Sequence, residues 1–122
     1  MDRVQWIYHL GRNILLVDFH DMQVSQLEEV RAILQHARRL IDTQPPKSLL
    51  VIIDVTNAGY NSESNKLMVE FAEKNTPFIK ASAVVGAVGI RKVVIDTLRL
   101  LIRRDLKTCV TLDEAKDWLA KA

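Results

Sequence analysis

The segment that most restricts the fold of this chain is the apolar run at residues 49–53, which continues beyond Asp54 to Val55. The run is short, rich in Val and Ile, and bounded by polar residues. This pattern is typical of a β-strand that is buried on both faces. A strand of this kind needs a covering layer on each side, so the chain is expected to fold as a layered α/β protein.

The first part of the chain predicts a β-hairpin. Two short apolar runs, at 5–10 and 14–19, flank Gly11-Arg12-Asn13. Glycine and asparagine favour tight turns, and two apolar runs joined by a short turn are typical of paired antiparallel strands.

An amphipathic helix is predicted to follow the hairpin. Ser25 and Glu28 have the spacing of a capping box, in which each side chain accepts a hydrogen bond from a free backbone amide. Pro45-Pro46 prevents the helix from continuing. Apolar residues repeat at helical spacing between these points: Leu27, Val30, Ile33, Leu34, Ala37, Leu40 and Ile41.

The second half of the chain alternates helices and strands. We expect a helix at about 62–75, a strand within 78–88, a helix at 90–104 and a strand at 106–110. A second capping box, Thr111 to Glu114, opens a last helix that runs through Leu119. The predicted order is β-β-α-β-α-β-α-β-α in a single domain over residues 1–122. It implies a mixed, mostly parallel five-stranded sheet covered by about four helices.

Composition and charge exclude several function classes. The formal net charge is +2 without a long run of one sign, and aromatic residues make up 6%, so no nucleic-acid partner is expected. The apolar stretch 83–102 contains several charged residues, which excludes a membrane span. No signal peptide is recognised, so a soluble, cytoplasmic protein is expected. Cys109 is the single cysteine and is predicted to be a buried, inert thiol.

The chain resembles the STAS domain, the fold of bacterial anti-sigma factor antagonists. The resemblance rests on Asp54-Val55-Thr56 at the end of the buried strand and on the pattern of the last third of the chain. That pattern has Gly86 and Gly89 in a turn, then Arg91-Lys92, a long apolar helix, a short strand, and Glu114-Ala115 opening the final helix.

One departure from the STAS pattern concerns the phosphorylated segment of the family. An ungapped comparison from Asp54 places Ser62 on the family's aspartate, Glu63 and Ser64 on its two serines, and Asn65 on its glycine. The serine pair is therefore broken. The chain looks closer to the divergent SpoIIAA-like branch, which is related in topology to CRAL-TRIO lipid-transfer domains. For that branch the resemblance implies a fold and scarcely a function.

The first candidate site is regulatory and comprises Asp54, Thr56, Ser62 and Ser64. Phosphorylation of either serine would place a dianion at a helix N-terminus, where the helix dipole and free amides tolerate it, while a docked partner would be repelled. The structural alternative is that these serines only cap the helix.

The second candidate is an anion or ligand site at Gly86, Gly89, Arg91 and Lys92. Glycines at a strand–helix junction let backbone amides approach an anion, and two cations could balance its charge. The structural alternative is a tight turn with solvated cations, in which Lys92 pairs with Asp96 one helical turn away.

The third candidate is a magnesium site formed by Asp18, Asp21 and Asp54, if the strands ending at Asp18 and Asp54 are parallel neighbours. The alternative is that Asp54 caps its own loop. No nucleophile and base can be paired, and we assign no catalytic residue, metal or cofactor.

Three functions follow from these candidates. The first is a non-catalytic regulatory or protein-interaction domain that acts through residues 56–66 and the apolar helix at 90–104, which is also expected to bury part of its surface in a homodimer. The second is a carrier of a small ligand, lipid or nucleotide, with the small-residue strand 81–88 as a cavity wall. The third is an enzyme that uses the aspartates.

Overall fold

The structure is a computed structural model that describes residues 3–89, 91–93, 95, 96, 99 and 105–122. Helical residues at 91–93, 95, 96 and 99 lie between the last two strands. The strands are β1 Val4–His9, β2 Arg12–Asp18, β3 Leu49–Asp54, β4 Ile79–Val85 and β5 Asp105–Cys109. The helices with described bounds are α1 Leu27–Ile41, which follows a 3-10 turn at Val24–Gln26, α2 Ser62–Asn75, and α3 Leu112–Ala120.

The five strands form one sheet in the order β1-β2-β3-β4-β5. β1 and β2 pair antiparallel, whereas β2, β3, β4 and β5 are parallel neighbours. A mixed, mostly parallel sheet with four helical segments confirms the predicted α/β fold class. No helix among the described residues is long and apolar enough to cross a membrane.

The central strand β3 contributes to a hydrophobic core on each face of the sheet. Val51 and Ile53 pack with α1 and α2, and Leu50 and Ile52 pack with α3. Side chains alternate between the two faces along a strand, so a strand covered on both sides reads as a continuous apolar run. We call the α1/α2 face the helix-pair face.

The opening hairpin has a shorter turn than predicted. Its loop consists of Leu10 and Gly11, with φ of 49° and 82°, and Arg12 and Asn13 belong to β2. Positive φ at both central positions is the geometry of a type I′ turn, which matches the twist of paired strands. The expected three-residue turn was wrong because Leu10 itself adopts the left-handed conformation.

The predicted capping box at Ser25 and Glu28 was also wrong. The capping box forms two residues earlier, between Gln23 and Gln26, and the backbone amide of Gln23 donates to Oε1 of Gln26 at 2.7 Å. Glu28 pairs instead with Arg31 at 3.5 Å. The chain enters α1 through a 3-10 turn, which moves the free amides away from Ser25.

Other predicted boundaries agree more closely with the structure. α2 has the expected bounds. β4 lies within the expected range 78–88, and β5 begins and ends one residue earlier than the expected 106–110. The residues of β4 are divided between the two faces of the sheet, and Ser82 and Val84 lie on the face opposite to Ala81 and Ala83. Ala81 and Ala83 lie against Ala115 and Leu119 of α3, so their size permits close helix packing.

The predicted homodimer surface on the helix at 90–104 lies mostly outside the described residues. Its apolar positions 90, 94, 98 and 100–102 are among those not described. Of the described positions, Val93 is exposed and Ile95 packs against the core of the helix-pair face. The dimer therefore stays a prediction.

Gly86 ends β4 at a point where a side chain does not fit. Its φ is +80°, and a Cβ built on it would lie 2.6 Å from the Cα of Thr56 and closer still to the Thr56 hydroxyl. The Gly86 amide donates to the carbonyl of Cys109 at 3.1 Å, and the amide of Val55 donates to the carbonyl of Val85 at 2.9 Å. Glycine thus brings the β3 and β4 loops into direct contact.

The substitution Gly86→Ala should destabilise the fold more than Gly11→Ala, although φ is nearly the same at the two glycines, +80° and +82°. An alanine at either position incurs the left-handed backbone penalty of about 1 kcal/mol. Only at Gly86 does the new Cβ collide with a neighbour, which should bring the total loss to about 3 kcal/mol. Urea unfolding of both variants measures the difference, and equal losses would contradict the close approach to Thr56.

Candidate functional site

The parallel strands end at one edge of the sheet, where the loops 19–23, 55–60 and 86–89 lie; we call this the carboxyl edge. Ligands of parallel α/β sheets bind beyond the carboxyl ends of the strands. Asp18 and Asp54 are directly paired there, in agreement with the sequence-based expectation. Each carboxylate is engaged by its own loop: Asp54 Oδ1 accepts from the Thr56 amide at 2.9 Å, and Asp18 accepts from the His20 amide and ring nitrogen.

The third aspartate of the predicted magnesium site also has a structural partner. Asp21 Oδ1 accepts from Asn57 Nδ2 at 2.8 Å, and the Asp21 backbone amide donates to the carbonyl of Thr56 at 3.0 Å. Within the part of the chain that the structure describes, no three His, Cys, Asp or Glu side chains are arranged to hold a metal ion. Asp21 thus fixes the loop after β2 to the loop after β3.

The N-terminus of α2 is capped by Asn61. Asn61 Oδ1 accepts from the Ser64 amide at 2.8 Å, and Ser64 Oγ accepts from the Asn61 amide at 3.0 Å, which completes a capping box. Ser62 is the first helical residue and is exposed. The structure thus gives Ser64 a capping role and leaves the Ser62 hydroxyl at the surface, while a phosphorylation switch at Ser62 or Ser64 stays a prediction.

Arg91 holds the loop 55–60 in place. Its guanidinium donates to the carbonyl of Gly59 at 2.8 Å, with longer contacts of 3.5 Å to the carbonyls of Val55 and Ala58. It also stacks over the Tyr60 ring, 4.9 Å from the ring centroid. Burial lowers the pKa of Arg91, and the nearby Tyr60 opposes part of this change. An arginine stays charged under such a shift, so the loop carbonyls take the place of water around a half-buried cation.

The remaining residues of the predicted anion site also have partners within the protein. Lys92 Nζ pairs with Asp96 at 2.9 Å, as the helical spacing predicted, and Arg99 pairs with the same carboxylate at 2.7 Å. These two cations hold the pKa of Asp96 below its ordinary value. Gly86 directs its amide to Cys109, and Gly89 adopts φ of +60° in open space. Gly86 and Gly89 lie in the loop after β4, Arg91 and Lys92 are helical residues that come after this loop, and anion binding there stays a prediction.

A cavity of about 80 Å³ lies behind the loop 55–60, on the helix-pair face of the sheet. We call it the helix-side cavity. Its walls come from the loops after β2 and β3, the start of α1, the inner face of α2 and the strands β3, β4 and β5. The lining is mainly apolar and comprises Phe19, Met22, Gln23, Val24, Leu27, Val30, Ile53, Val55, Ala58, Gly59, Tyr60, Ser64, Asn65, Met68, Val69, Ala72, Ser82, Val84, Arg91, Ile95 and Leu106.

Tyr60 and Ser82 were not predicted as site residues, although Ser82 belongs to the strand 81–88 that was considered as a cavity wall. Ser82 is a polar residue within the apolar strand β4, and its buried hydroxyl has no hydrogen-bond partner in the described part of the chain. A single serine in a strand predicted to be buried could have indicated a site residue, because a buried hydroxyl normally needs a hydrogen-bond partner. The sequence alone could not show which face of the sheet it would occupy.

Cys109 has the properties expected of an inert thiol. It lies at the end of β5 and is buried against the α3 side of the sheet. Burial raises the pKa of the Cys109 thiol, and the carboxylate of Glu114 raises it further. A thiol with a raised pKa is a poor nucleophile at neutral pH.

Comparison with known proteins identifies the fold. The sequence matches no family model and no curated protein. A solved structure, an uncharacterised protein of the DUF3478 family with a SpoIIAA-like fold from Shewanella loihica PV-4, superposes with a TM-score of 0.67 over 95% of this chain and 91% of that protein. The two sequences are 16% identical. The SpoIIAA-like fold expected from the resemblance is therefore confirmed, and at this identity the likeness concerns the fold alone.

The adjacent cations Arg91 and Lys92 should differ sharply in their contribution to stability. We expect Arg91→Ala to lower the free energy of unfolding by about 1–2 kcal/mol, because it leaves partly buried carbonyls without their donor. Lys92→Ala removes an exposed pair and should change stability little. Urea unfolding of the two variants measures this contrast. A rise in melting temperature with inorganic phosphate that both substitutions abolish would instead support the anion site.

Proposed function

We propose that this protein binds a small, mainly apolar molecule in the helix-side cavity. The observation that carries the proposal is the cavity itself, about 80 Å³ of space lined mainly by apolar side chains between the sheet and the helix pair. Protein interiors are normally close-packed, with few voids larger than a water molecule. A concave apolar space with a few polar groups is the usual form of a ligand site.

The size of the cavity limits the ligand. Pockets that enclose drug-sized molecules have volumes of about 300–1,000 Å³, and an apolar cavity of about 150 Å³ takes up benzene. A volume of about 80 Å³ therefore suits a short aliphatic group, either a small molecule or the end of a longer chain.

The charge of the lining favours a neutral ligand. Arg91 is the charged residue among the described lining residues, and its guanidinium already donates to the carbonyl of Gly59. A nucleotide or another anion would have to compete for that donor, whereas an uncharged molecule would leave the loop 55–60 intact. Of the ligand classes expected from the sequence, this supports an apolar molecule over a nucleotide.

Filling the cavity should abolish ligand binding. In Ala72→Leu, a larger side chain would project from α2 into the cavity that Ala72 lines. Ala32→Leu makes the same change on the exposed face of α1 and serves as the control. Native mass spectrometry of the protein purified from its own cell should show a small adduct on the wild type and on Ala32→Leu, and none on Ala72→Leu.

Ala72 is buried, so the melting temperature of Ala72→Leu should be measured first, and Ala58→Leu offers a second way to fill the cavity. The proposal fails if the wild type carries no adduct and if xenon, a small apolar probe, shifts no methyl NMR signal of the lining residues. An adduct that both cavity variants retain would place the ligand elsewhere.

A second candidate function is a protein-interaction module. The observation that favours it is a row of exposed side chains on one face of the edge strand β1 and its turn: Trp6 is 42% exposed, Tyr8 74% and Leu10 70%. Among the described strands β1 pairs with β2 alone, so it is an edge strand whose outer backbone groups are open to pairing. An edge strand with exposed apolar side chains is a template for pairing with a second copy.

If two copies pair through β1, Tyr8→Lys should weaken self-association, because it places a charge in the apolar row. Val110→Lys introduces the same charge at another exposed apolar position and is the matched control. Sedimentation velocity over a range of concentrations measures both variants against the wild type. A wild type that stays monomeric at all concentrations, or equal effects of the two substitutions, would remove this candidate.

A further inference from the structure

Ser82 lies in β4, an interior strand of the sheet, and faces the helix-side cavity. It is paired with Val51 of β3 and with Leu106 of β5, and it is 1% exposed. Its neighbours Ala81 and Ala83 belong to the core on the α3 side. Side chains alternate along a strand, so Ser82 faces the helix pair together with Val84, and both residues line the cavity.

The Ser82 hydroxyl has no hydrogen-bond partner among the residues that the structure describes. A buried hydroxyl without a partner destabilises the protein relative to an apolar residue of similar size. Alanine occupies the positions on either side and would fit here as well. The hydroxyl thus lowers the free energy of unfolding of the free protein. A ligand atom that forms a hydrogen bond with the hydroxyl would restore this stability.

A trapped water does not account for the hydroxyl as well as a ligand does. Buried waters typically make about three hydrogen bonds to polar groups. The closest sheet residues on the same face, Val51, Val84 and Leu106, are apolar and offer no such groups. A ligand needs only one polar atom at this point, because its apolar part is matched by the rest of the lining.

We infer that Ser82 is the polar recognition residue of the helix-side cavity, and that the ligand is a neutral molecule with a short aliphatic body and a hydroxyl or carbonyl group. The inference rests on the proposed function and adds the class of ligand. A serine hydroxyl both donates and accepts, so it can pair with an alcohol or with a carbonyl oxygen. The apolar lining selects the aliphatic body, and the engaged Arg91 disfavours a carboxylate.

The test compares a polar and an apolar probe on the full chain, refolded from urea to remove any retained molecule. The probes are 2-methylpropan-1-ol and xenon, and methyl NMR titration measures both on the wild type, Ser82→Ala and Ser82→Thr. Ser82→Ala should weaken binding of the alcohol about fivefold, the effect of one neutral hydrogen bond. Xenon binding should stay unchanged, and Ser82→Thr, which keeps the hydroxyl, should retain the alcohol.

The melting temperature supplies an independent readout. Without ligand, Ser82→Ala should melt about 3 °C above the wild type, because the unpaired hydroxyl is gone. A lower melting temperature would mean that the hydroxyl has a partner in the folded protein and would overturn the inference. Equal binding of the alcohol to the wild type and Ser82→Ala would also overturn it, while xenon binding would preserve the proposed function. Failure of both probes to bind the wild type would overturn the proposed function itself.

Discussion

The burial of β3 on both faces is the constraint on which the rest of the structure depends. Val51 and Ile53 need a cover on one side of the sheet, and Leu50 and Ile52 need one on the other. The helices α1 and α2 supply the first cover and α3 supplies the second. A parallel strand order follows, because each helical crossover returns the chain to the same end of the sheet. The carboxyl edge, with its loops, is a direct result of this arrangement.

At the carboxyl edge, residues whose chemistry would suit a ligand stabilise the loops. Arg91 donates to the carbonyl of Gly59, and Asp54 accepts from the Thr56 amide. Gly86 leaves space for Thr56, and a side chain there would collide with it. Backbone groups buried in loops must find partners, and charged side chains are effective ones. The glycines, cations and carboxylates at this edge therefore stabilise the loops. The candidate ligand site lies behind those loops.

The helix-side cavity shows how function and stability can oppose each other in one residue. Ser82 is a polar residue in a core position, and no described residue pairs with its hydroxyl. Local rules for a stable core are most often broken at functional sites, where the loss of stability is offset by binding. The fold does not supply this conclusion, because the structurally similar protein from Shewanella loihica is itself uncharacterised and shares 16% of its sequence with this chain. Function has to be inferred from the site.

The sequence by itself determined the α/β class, the bounds of α2 and the buried strand β3, because each depends on local periodicity. It placed Asp18 beside Asp54 only on the condition that their strands are parallel neighbours, which the tertiary structure decided. It misplaced the hairpin turn and the cap of α1, where Leu10 takes a left-handed conformation and a 3-10 turn displaces the expected cap. Only the tertiary structure decided that Arg91 holds the loop 55–60 and that Ser82 lines a cavity. These contacts join residues that are far apart in the chain, and a local sequence pattern does not predict how distant elements pack against one another.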